Sequence, residues 1–229
     1  MKNSLKALAV AAMAAPASLF ALEGIEVDSY FAFESEYSFR GVKLAGPSIQ
    51  PGVDISYNGA YVGIWSSSEI FKDVEGPELE VDYIIGYALD IEDITVDVGF
   101  TAYTFPGGGD TYEIYVGASY GGLDFPIEPA LYLFYDFELE NFTAEVSLGY
   151  GLDLADLGLE GFGLDFGGAL GYVWADEDED YLYYQLTADL VFDINEAAYA
   201  SVGVRLAGND ADVAPDVQFW WGAAIGVAF

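Results

Sequence analysis

Histidine and cysteine are both absent from this chain of 229 residues. Without histidine, the chain lacks the commonest general base and the commonest metal ligand, which excludes a catalytic triad built on an imidazole. Without cysteine, it can form neither a disulfide nor a thiolate metal site. Carboxylates are the groups left for acid–base catalysis, and nothing in the sequence brings a pair such as Asp82 and Asp97 together. We therefore expect no enzymatic activity and no cofactor.

Basic residues are scarce. The chain has 6 Lys and Arg residues against 39 Asp and Glu residues, and its formal net charge is −33 at pH 7. A protein that binds nucleic acid needs a basic surface to neutralise phosphates. Nucleic acid is therefore excluded as a natural partner.

Long apolar runs are missing after residue 22, so no later segment can form a membrane-spanning helix. The amino terminus differs, because Lys2 and Lys6 flank the start of an Ala-rich apolar region, Leu5–Phe20. This pattern predicts a signal peptide over residues 1–21, cleaved after Ala21 or alternatively after Ala17. An anchoring helix is the competing interpretation. Residues 22–229 are then expected to form a single domain.

Apolar residues alternate with other residues along much of the chain. This alternation is clearest in the last thirteen residues. In Val217–Phe229 every second residue is apolar, and the other row is small or polar apart from Trp220. A period of two over this length predicts a strand long enough for a tilted membrane crossing. An alternating strand that ends on Phe229 resembles the closing strand of bacterial outer-membrane barrels, whose terminal aromatic residue is recognised by the barrel-assembly machinery.

The same alternation recurs in further segments along the chain. Tight turns and longer loops connect these segments in alternation. Asn58-Gly59 is the strongest turn signal, since this pair favours a two-residue type I′ hairpin. In the strand that follows, the pattern is ambiguous, and Tyr61, Gly63 and Trp65 are taken as the outward row. The fold class predicted is all-β: a transmembrane antiparallel up-and-down β-barrel of about 12 strands, within a range of 10–14. The predicted strands cover residues 27–40, 49–57, 60–67, 79–89, 94–103, 112–120, 129–137, 142–150, 162–172, 182–192, 198–206 and 217–229.

The direction of the apolar rows separates two kinds of barrel. In a secreted soluble barrel the apolar row would point into a core, and the polar row would face water. Here the apolar rows are rich in aromatic residues and accompany a signal peptide and a terminal Phe. This combination favours apolar rows that face lipid, and it predicts a location in the bacterial outer membrane, in contact with lipid and lipopolysaccharide.

The rows opposite the apolar ones carry most of the acids, and they are the candidate lining of the lumen. An acidic lumen concentrates cations and repels anions. We therefore expect a narrow passive channel for small solutes or ions, with an acidic lumen that prefers cations. The alternative is a non-conducting structural or adhesive barrel, in which Arg40 and Arg205 pair with neighbouring carboxylates and side chains fill the interior. The candidate residues are Glu34, Glu36, Arg40, Asp54, Glu80, Asp82, Asp97, Glu113, Glu145, Asp165, Asp189 and Arg205.

One acidic run, Asp176 to Asp180, stands apart at a predicted loop tip. Asp176, Asp178 and Asp180 are candidates for oxygen ligands of a hard divalent cation. The run lacks the spacing of an EF-hand, and a run of this kind is more often a solvated loop tip. We therefore expect no specific metal site here, although divalent ions can bridge acidic loops to lipopolysaccharide.

Three segments also carry a family resemblance. Residues 35–42 read Ser-Glu-Tyr-Ser-Phe-Arg-Gly-Val, residues 47–54 read Pro-Ser-Ile-Gln-Pro-Gly-Val-Asp, and residues 59–66 read Gly-Ala-Tyr-Val-Gly-Ile-Trp-Ser. These segments resemble the TorF-type porin family, also called the Gcw-type outer-membrane family. The chain departs from the family pattern at Lys43-Leu44 and Ser48. The resemblance implies a porin-like outer-membrane role without a defined substrate.

Overall fold

A computed structural model describes residues 24–71, 79–123, 125–176, 179–211 and 217–229. The predicted signal peptide, residues 1–21, lies outside these residues, as do Lys72 and Asp178. Within the described ranges, no helix is long and apolar enough to cross a membrane.

Twelve strands form a closed barrel, in which each strand pairs with its neighbours in antiparallel fashion, and two shorter strands form a separate hairpin. The predicted fold class and the predicted number of barrel strands are therefore confirmed. Around the barrel the strand order is β1, β14, β13, β12, β11, β10, β9, β8, β7, β6, β5 and β4. The bounds are β1 (Ile25–Glu34), β2 (Tyr37–Phe39), β3 (Val42–Ala45), β4 (Ser48–Tyr57), β5 (Ala60–Glu69), β6 (Leu79–Ile91), β7 (Ile94–Thr104), β8 (Thr111–Tyr120), β9 (Ile127–Asp136), β10 (Phe142–Asp153), β11 (Phe162–Trp174), β12 (Tyr181–Asp193), β13 (Ala198–Asn209) and β14 (Val217–Ala228).

The last strand closes the barrel against the first, as the sequence predicts. Strand β14 pairs with β1 from Asp28 opposite Ala228 to Glu34 opposite Gly222. The terminal residue continues this ladder, because Val27 N donates to Phe229 O at 2.6 Å and Phe229 N donates to Val27 O at 2.8 Å. Closure leaves no free sheet edge, so every barrel strand has two hydrogen-bonded neighbours.

The two ends of the barrel differ in their connections. One end, here called the turn end, holds the start of β1 and the end of β14 together with residues 58–59, 92–93, 121–123, 125–126, 154–161 and 194–197. The opposite end, the loop end, holds the described residues 35–47, 70–71, 105–110, 137–141, 175–176, 179–180 and 210–211. Asn58 and Gly59 have φ values of 50° and 85°, which fits the predicted type I′ turn.

The outer surface of the barrel is apolar. Ile85 in β6 is 57% exposed and Phe219 in β14 is 70% exposed, and many other large apolar side chains point the same way. These exposed fractions show that the apolar row is directed outward. A water-soluble barrel would instead bury this row in its core.

Strand β5 corrects one predicted orientation. Val62 and Ile64 lie on the outer surface, whereas Tyr61 and Trp65 point inward. Both rows of this strand carry large side chains, so its own alternation does not choose a face. Pairing decides, because Val62 lies opposite the outward-facing Ile85 and Ile64 lies opposite the outward-facing Tyr83.

The first predicted strand is also wrong in extent. Strand β1 ends at Glu34, six residues before the predicted end at Arg40, and the chain then turns at Ser35 and Glu36 into the hairpin β2–β3. The alternation continues past this bend because β2 is itself a strand. A period-two pattern cannot distinguish one long strand from two strands joined by a bend.

Candidate functional site: the lumen of the barrel

Ten of the twelve predicted lumen residues lie on barrel strands, in the row opposite the exposed apolar side chains. Glu113 is the most buried of them, with 2% of its surface exposed. The other two lie outside the barrel strands, because Glu36 precedes β2 and Arg40 lies between β2 and β3. The ten residues on the wall are Glu34, Asp54, Glu80, Asp82, Asp97, Glu113, Glu145, Asp165, Asp189 and Arg205.

The β2–β3 hairpin folds back from the loop end into the barrel. Its two strands are joined by Arg40 and Gly41, whose φ values are 48° and 75°. Two positive φ values in succession are those of a two-residue type I′ turn, which requires glycine or a tolerant residue at each position. The turn places Arg40 at the tip of the hairpin, inside the lumen.

Arg40 makes the strongest contact between the hairpin and the wall. Its Nη1 donates to Glu113 Oε2 at 2.7 Å and its Nη2 donates to Glu113 Oε1 at 3.0 Å. The guanidinium also lies 4.6 Å from the centre of the Phe134 ring. Tyr103 Oη donates to Glu113 Oε1 at 3.1 Å. A bidentate pair with a further hydroxyl donor satisfies the buried carboxylate and fixes the position of the hairpin tip.

Gly41 holds the tip from the other side of the lumen. Its carbonyl oxygen accepts hydrogen bonds from Asn209 Nδ2 at 2.6 Å and from Gln218 Nε2 at 2.7 Å. A Cβ at position 41 would collide with the backbone of Gly208 and with Tyr183. The tip is therefore attached to β8, β13 and β14, which lie on different sides of the barrel.

A second ion-pair network lies at Arg205 on β13. Its Nη1 is 2.8 Å from Asp189 Oδ1, and its Nη2 is 3.4 Å from Glu34 Oε1. Trp220 Nε1 donates to Glu34 Oε2 at 2.9 Å. Asp165 lies directly opposite Asp189 across the β11–β12 pair. The structure thus brings Glu34 and Asp189 together around Arg205 and places Asp165 beside Asp189.

Asp97 on β7 is surrounded by hydroxyl groups instead of cations. Tyr61 Oη donates to Asp97 Oδ1 at 2.8 Å, and Tyr132 Oη donates to Asp97 Oδ2 at 3.2 Å. Tyr115 Oη lies 2.5 Å from Tyr61 Oη. Since Tyr61 gives its only proton to Asp97, Tyr115 is the donor in that contact. Phenol donors stabilise the carboxylate without adding charge.

Inward tyrosines sit on glycines of the neighbouring strand in six places. Tyr132 illustrates the arrangement, because its ring covers Gly117 so closely that any Cβ there would collide with it. Glycine opposite an aromatic residue leaves room for the ring to lie along the wall. The six cross-strand pairs are Tyr30–Gly52, Tyr61–Gly86, Tyr115–Gly99, Tyr132–Gly117, Tyr183–Gly171 and Tyr199–Gly226.

Several acids have no cationic partner among the described residues. Asp28 and Asp54 lie directly opposite each other near the turn end. Glu80 and Asp82 lie two residues apart on the inner face of β6, below the hairpin. By contrast, Glu36 lies 3.1 Å from Lys43 Nζ within the hairpin segment. The wall therefore carries more negative charge than its arginines neutralise.

Tyr37 in β2 links the hairpin to these acids. Its ring centre is 5.4 Å from that of Trp65, and its hydroxyl is hydrogen-bonded to Glu80. The phenol hydroxyl is the donor in this contact, because a carboxylate can only accept. On the opposite wall, Tyr183 Oη donates to Glu145 Oε2 at 2.7 Å.

The described residues of the acidic run, Asp176, Glu179 and Asp180, do not form a metal site. Asp180 Oδ1 accepts a hydrogen bond from Ala175 N at 3.0 Å, and Asp176 N donates to Asn141 Oδ1 at 3.3 Å. Asp178 lies outside the described residues. Within the described part of the chain, no group of three or more Asp or Glu side chains is placed to hold a metal ion.

Sequence reasoning missed three features of the lumen. Asp28 was not among the predicted residues, although it belongs to the same inward row as Glu34. The inward tyrosines were not counted among the lumen residues, and Tyr61 was assigned to the outward row. The hairpin was missed although Arg40-Gly41 between two short alternating segments is a turn signal in its own right.

Two comparisons place this geometry among known proteins. A family model described as "Bacterial protein of unknown function (Gcw_chp)" matches residues 20–226. This match confirms the Gcw part of the predicted resemblance, and the TorF-type designation stays a prediction. A search of the curated proteins gave no match.

The fold is similar to solved porins. The KdgM porin has a TM-score of 0.57 at 11% identity, over 89% of this chain and 98% of that one. The NanC porin has a TM-score of 0.55 at 14% identity, over 90% and 99%. An outer membrane channel from Pseudomonas putida F1 has a TM-score of 0.51 at 10% identity, over 95% and 100%. A further structure, with a TM-score of 0.56, is described as the KdgM porin in complex with disordered oligogalacturonate.

Proposed function

This chain belongs to the Gcw_chp family of bacterial proteins, and from that premise we propose that it is an outer-membrane barrel acting as a narrow passive channel that prefers cations. The porin-like fold supports a channel. The outward apolar row supports a barrel embedded in lipid. No catalysis is part of this function.

Export and assembly follow from the same proposal. A signal peptide over residues 1–21 would direct export, and the β14 strand ending at Phe229 would be recognised by the barrel-assembly machinery. Lipid and lipopolysaccharide would surround the apolar face. Small solutes or cations would be the passing species.

The observation that carries the cation preference is the excess of inward carboxylates over inward cations. Arg40 and Arg205 each satisfy acids next to them, whereas Asp28, Asp54, Glu80 and Asp82 have no cationic partner among the described residues. Fixed negative charge in a narrow, low-dielectric passage raises the local concentration of cations. The charge is opposite to what a channel for an acidic saccharide such as oligogalacturonate would need, so we do not extend that ligand to this chain.

The hairpin would set the width of the passage. It occupies the lumen between β8 and β13–β14, and its tip is held at both sides. Ions would then pass beside the hairpin, along the wall that carries the unpaired acids. A folded-in loop that narrows the lumen favours small ions over larger solutes.

Cation preference can be measured as a reversal potential in a planar bilayer under a KCl gradient. We expect wild-type protein to favour potassium over chloride, and we expect Asp28→Asn with Asp54→Asn to lower the permeability ratio at least threefold, because two unpaired charges leave the passage. The control is Asp156→Asn with Glu160→Gln, since both side chains are exposed in the turn-end connection outside the lumen. Anion preference in the wild type, or equal loss in both double variants, would rule out the proposal.

A closed structural barrel is the second candidate, and the anchored hairpin is the observation that favours it. Glu34 and Ser48 lie opposite each other in the β1–β4 ladder, so a short linker can replace residues 36–46 without moving either strand. We expect this replacement, made with Glu113→Gln, to raise single-channel conductance severalfold if the wild type is a narrowed channel. A wild type without conductance that conducts only after the replacement would instead support the closed barrel.

A further inference from the structure

Glu80 and Asp82 form an unusual pair on the inner face of β6. Each side chain is only 7% exposed, although both are acidic. Two residues along a strand separate their Cβ atoms by roughly 7 Å, so the two carboxylates share one environment. Burying two neighbouring carboxylates is costly unless each finds a compensating charge or donor.

The hairpin covers this pair. Tyr37 is hydrogen-bonded to Glu80. Asp82 lies opposite Trp65 on one neighbouring strand and opposite Tyr103 on the other. The Trp65 ring contacts Tyr37, and the Tyr103 ring contacts Phe39, so both neighbours of Asp82 touch the hairpin. Asp82 is therefore directed into the space between the wall and β2.

Compensation for the two charges is incomplete. Arg40 pairs with Glu113, Lys43 with Glu36, and Arg205 with Glu34 and Asp189, so in the described part of the chain no cation reaches Glu80 or Asp82. Asp82 Oδ1 is buried and has no hydrogen-bond partner among the described residues. An orphaned oxygen on a side chain this buried indicates that a partner is missing.

Neutral oxygen atoms complete the surroundings. The Tyr37 hydroxyl lies at Glu80, and Ser67, which is buried, lies opposite Glu80 in the ladder. Carboxylate and hydroxyl oxygens are the ligands that hard cations prefer, and the chain has no cysteine or histidine to offer a softer ligand.

From these observations we propose that Glu80, Asp82 and the Tyr37 hydroxyl form a binding site for a hard divalent cation, such as Ca²⁺, between the hairpin and β6. One divalent ion balances the two carboxylates and supplies the partner that Asp82 Oδ1 lacks. The inference rests on the proposed function, because a cation site beside the hairpin lies on the path that ions would take.

The site is expected to bind a divalent cation weakly. Two carboxylates are fewer than a tight calcium site uses, and no cluster of three acids holds a metal among the residues described. We expect an affinity of roughly 10⁻⁴–10⁻³ M, in the range of weak protein calcium sites. Weak binding suits a channel, since an ion must be able to leave the site.

Isothermal titration of the detergent-solubilised mature chain with CaCl₂ tests the site. We expect saturable binding, and at least a tenfold loss of affinity in Glu80→Gln with Asp82→Asn. Asp156→Asn with Glu160→Gln changes the same residue types at exposed positions and is expected to bind as the wild type does. Heat-dependent migration in gel electrophoresis verifies that each variant is a folded barrel.

Terbium luminescence gives a second readout of position. Tb³⁺ replaces Ca²⁺ and emits when a nearby aromatic ring transfers energy to it, and Trp65 lies next to the site. We expect Trp65→Phe to reduce Ca²⁺-competable emission while calorimetric binding of Ca²⁺ persists. Unchanged affinity in the Glu80/Asp82 double variant, or no saturable binding in the wild type, would overturn the site.

Failure of the site and failure of the channel are distinguishable. Calcium binding is measured without conduction, so a closed barrel can still show it. A channel that prefers potassium but binds no calcium keeps the proposed function and loses only this site.

Discussion

Arg40→Met is expected to destabilise the barrel by about 3–5 kcal/mol, because it leaves the buried Glu113 carboxylate without its cation. Methionine keeps the apolar contact with Phe134 but cannot make the bidentate pair. Urea unfolding of the folded protein in lipid vesicles, followed by tryptophan fluorescence, measures the change. The hairpin tip is also expected to lose its fixed position, and single-channel recordings should then show larger and noisier conductance.

The double variant Arg40→Met with Glu113→Gln provides the control. A neutral Gln at position 113 can still accept the Tyr103 hydroxyl, so no buried charge is left unpaired. We expect the double variant to be more stable than Arg40→Met alone. If the loss of stability in the double variant equals the sum of the losses in Arg40→Met and Glu113→Gln, the two side chains are not coupled. The ion pair then does not hold the hairpin in place.

Gly117→Val is expected to destabilise the barrel by about 1–3 kcal/mol or to block its assembly, because the new side chain collides with the Tyr132 ring. Tyr132 would have to leave Gly117 and give up its hydrogen bond to Asp97. The collision overrides the higher strand propensity of valine. Thermal unfolding in detergent, read by heat-dependent gel migration, measures the change.

Gly149→Val is the matched control. Gly149 also lies in the inward row of a barrel strand, but a Cβ there meets no atom within 4 Å. Valine at this position is expected to leave the melting temperature unchanged or to raise it. Equal destabilisation by the two valines would mean that loss of any inward glycine weakens the wall, and that the tyrosine contact is not the cause.

The inward row of acids could be predicted because each acid alternates with exposed apolar residues on its own strand. Glu113 alternates with Ile114 and Val116, and this alternation needs no tertiary information. What each acid contacts could not be predicted in the same way. Glu113 and Arg40 are 73 residues apart, and only closure of the barrel and folding of the hairpin bring them together.

Strand β5 shows where alternation alone fails to assign the inward and outward faces. Tyr61 and Trp65 look like lipid-facing aromatic residues, and the sequence assigns them outward. The ladder with β6 turns them inward, where Tyr61 donates to Asp97. Large side chains suit both faces of this barrel, because tyrosines fill the lumen by lying on glycines of the next strand. Hydrophobicity alone therefore does not separate the two rows.

The sequence by itself determined that this chain forms a barrel of about twelve alternating strands with an apolar outer face, and that the strand leading to Phe229 closes it. Alternation is a local property, fixed by residues two positions apart. Only the tertiary structure decided that residues 37–45 leave the wall and enter the lumen, where Arg40 pairs with Glu113. It also placed Tyr37 of the hairpin against Glu80, beside Asp82. These contacts join distant segments through a closed sheet, and no period along the chain encodes them.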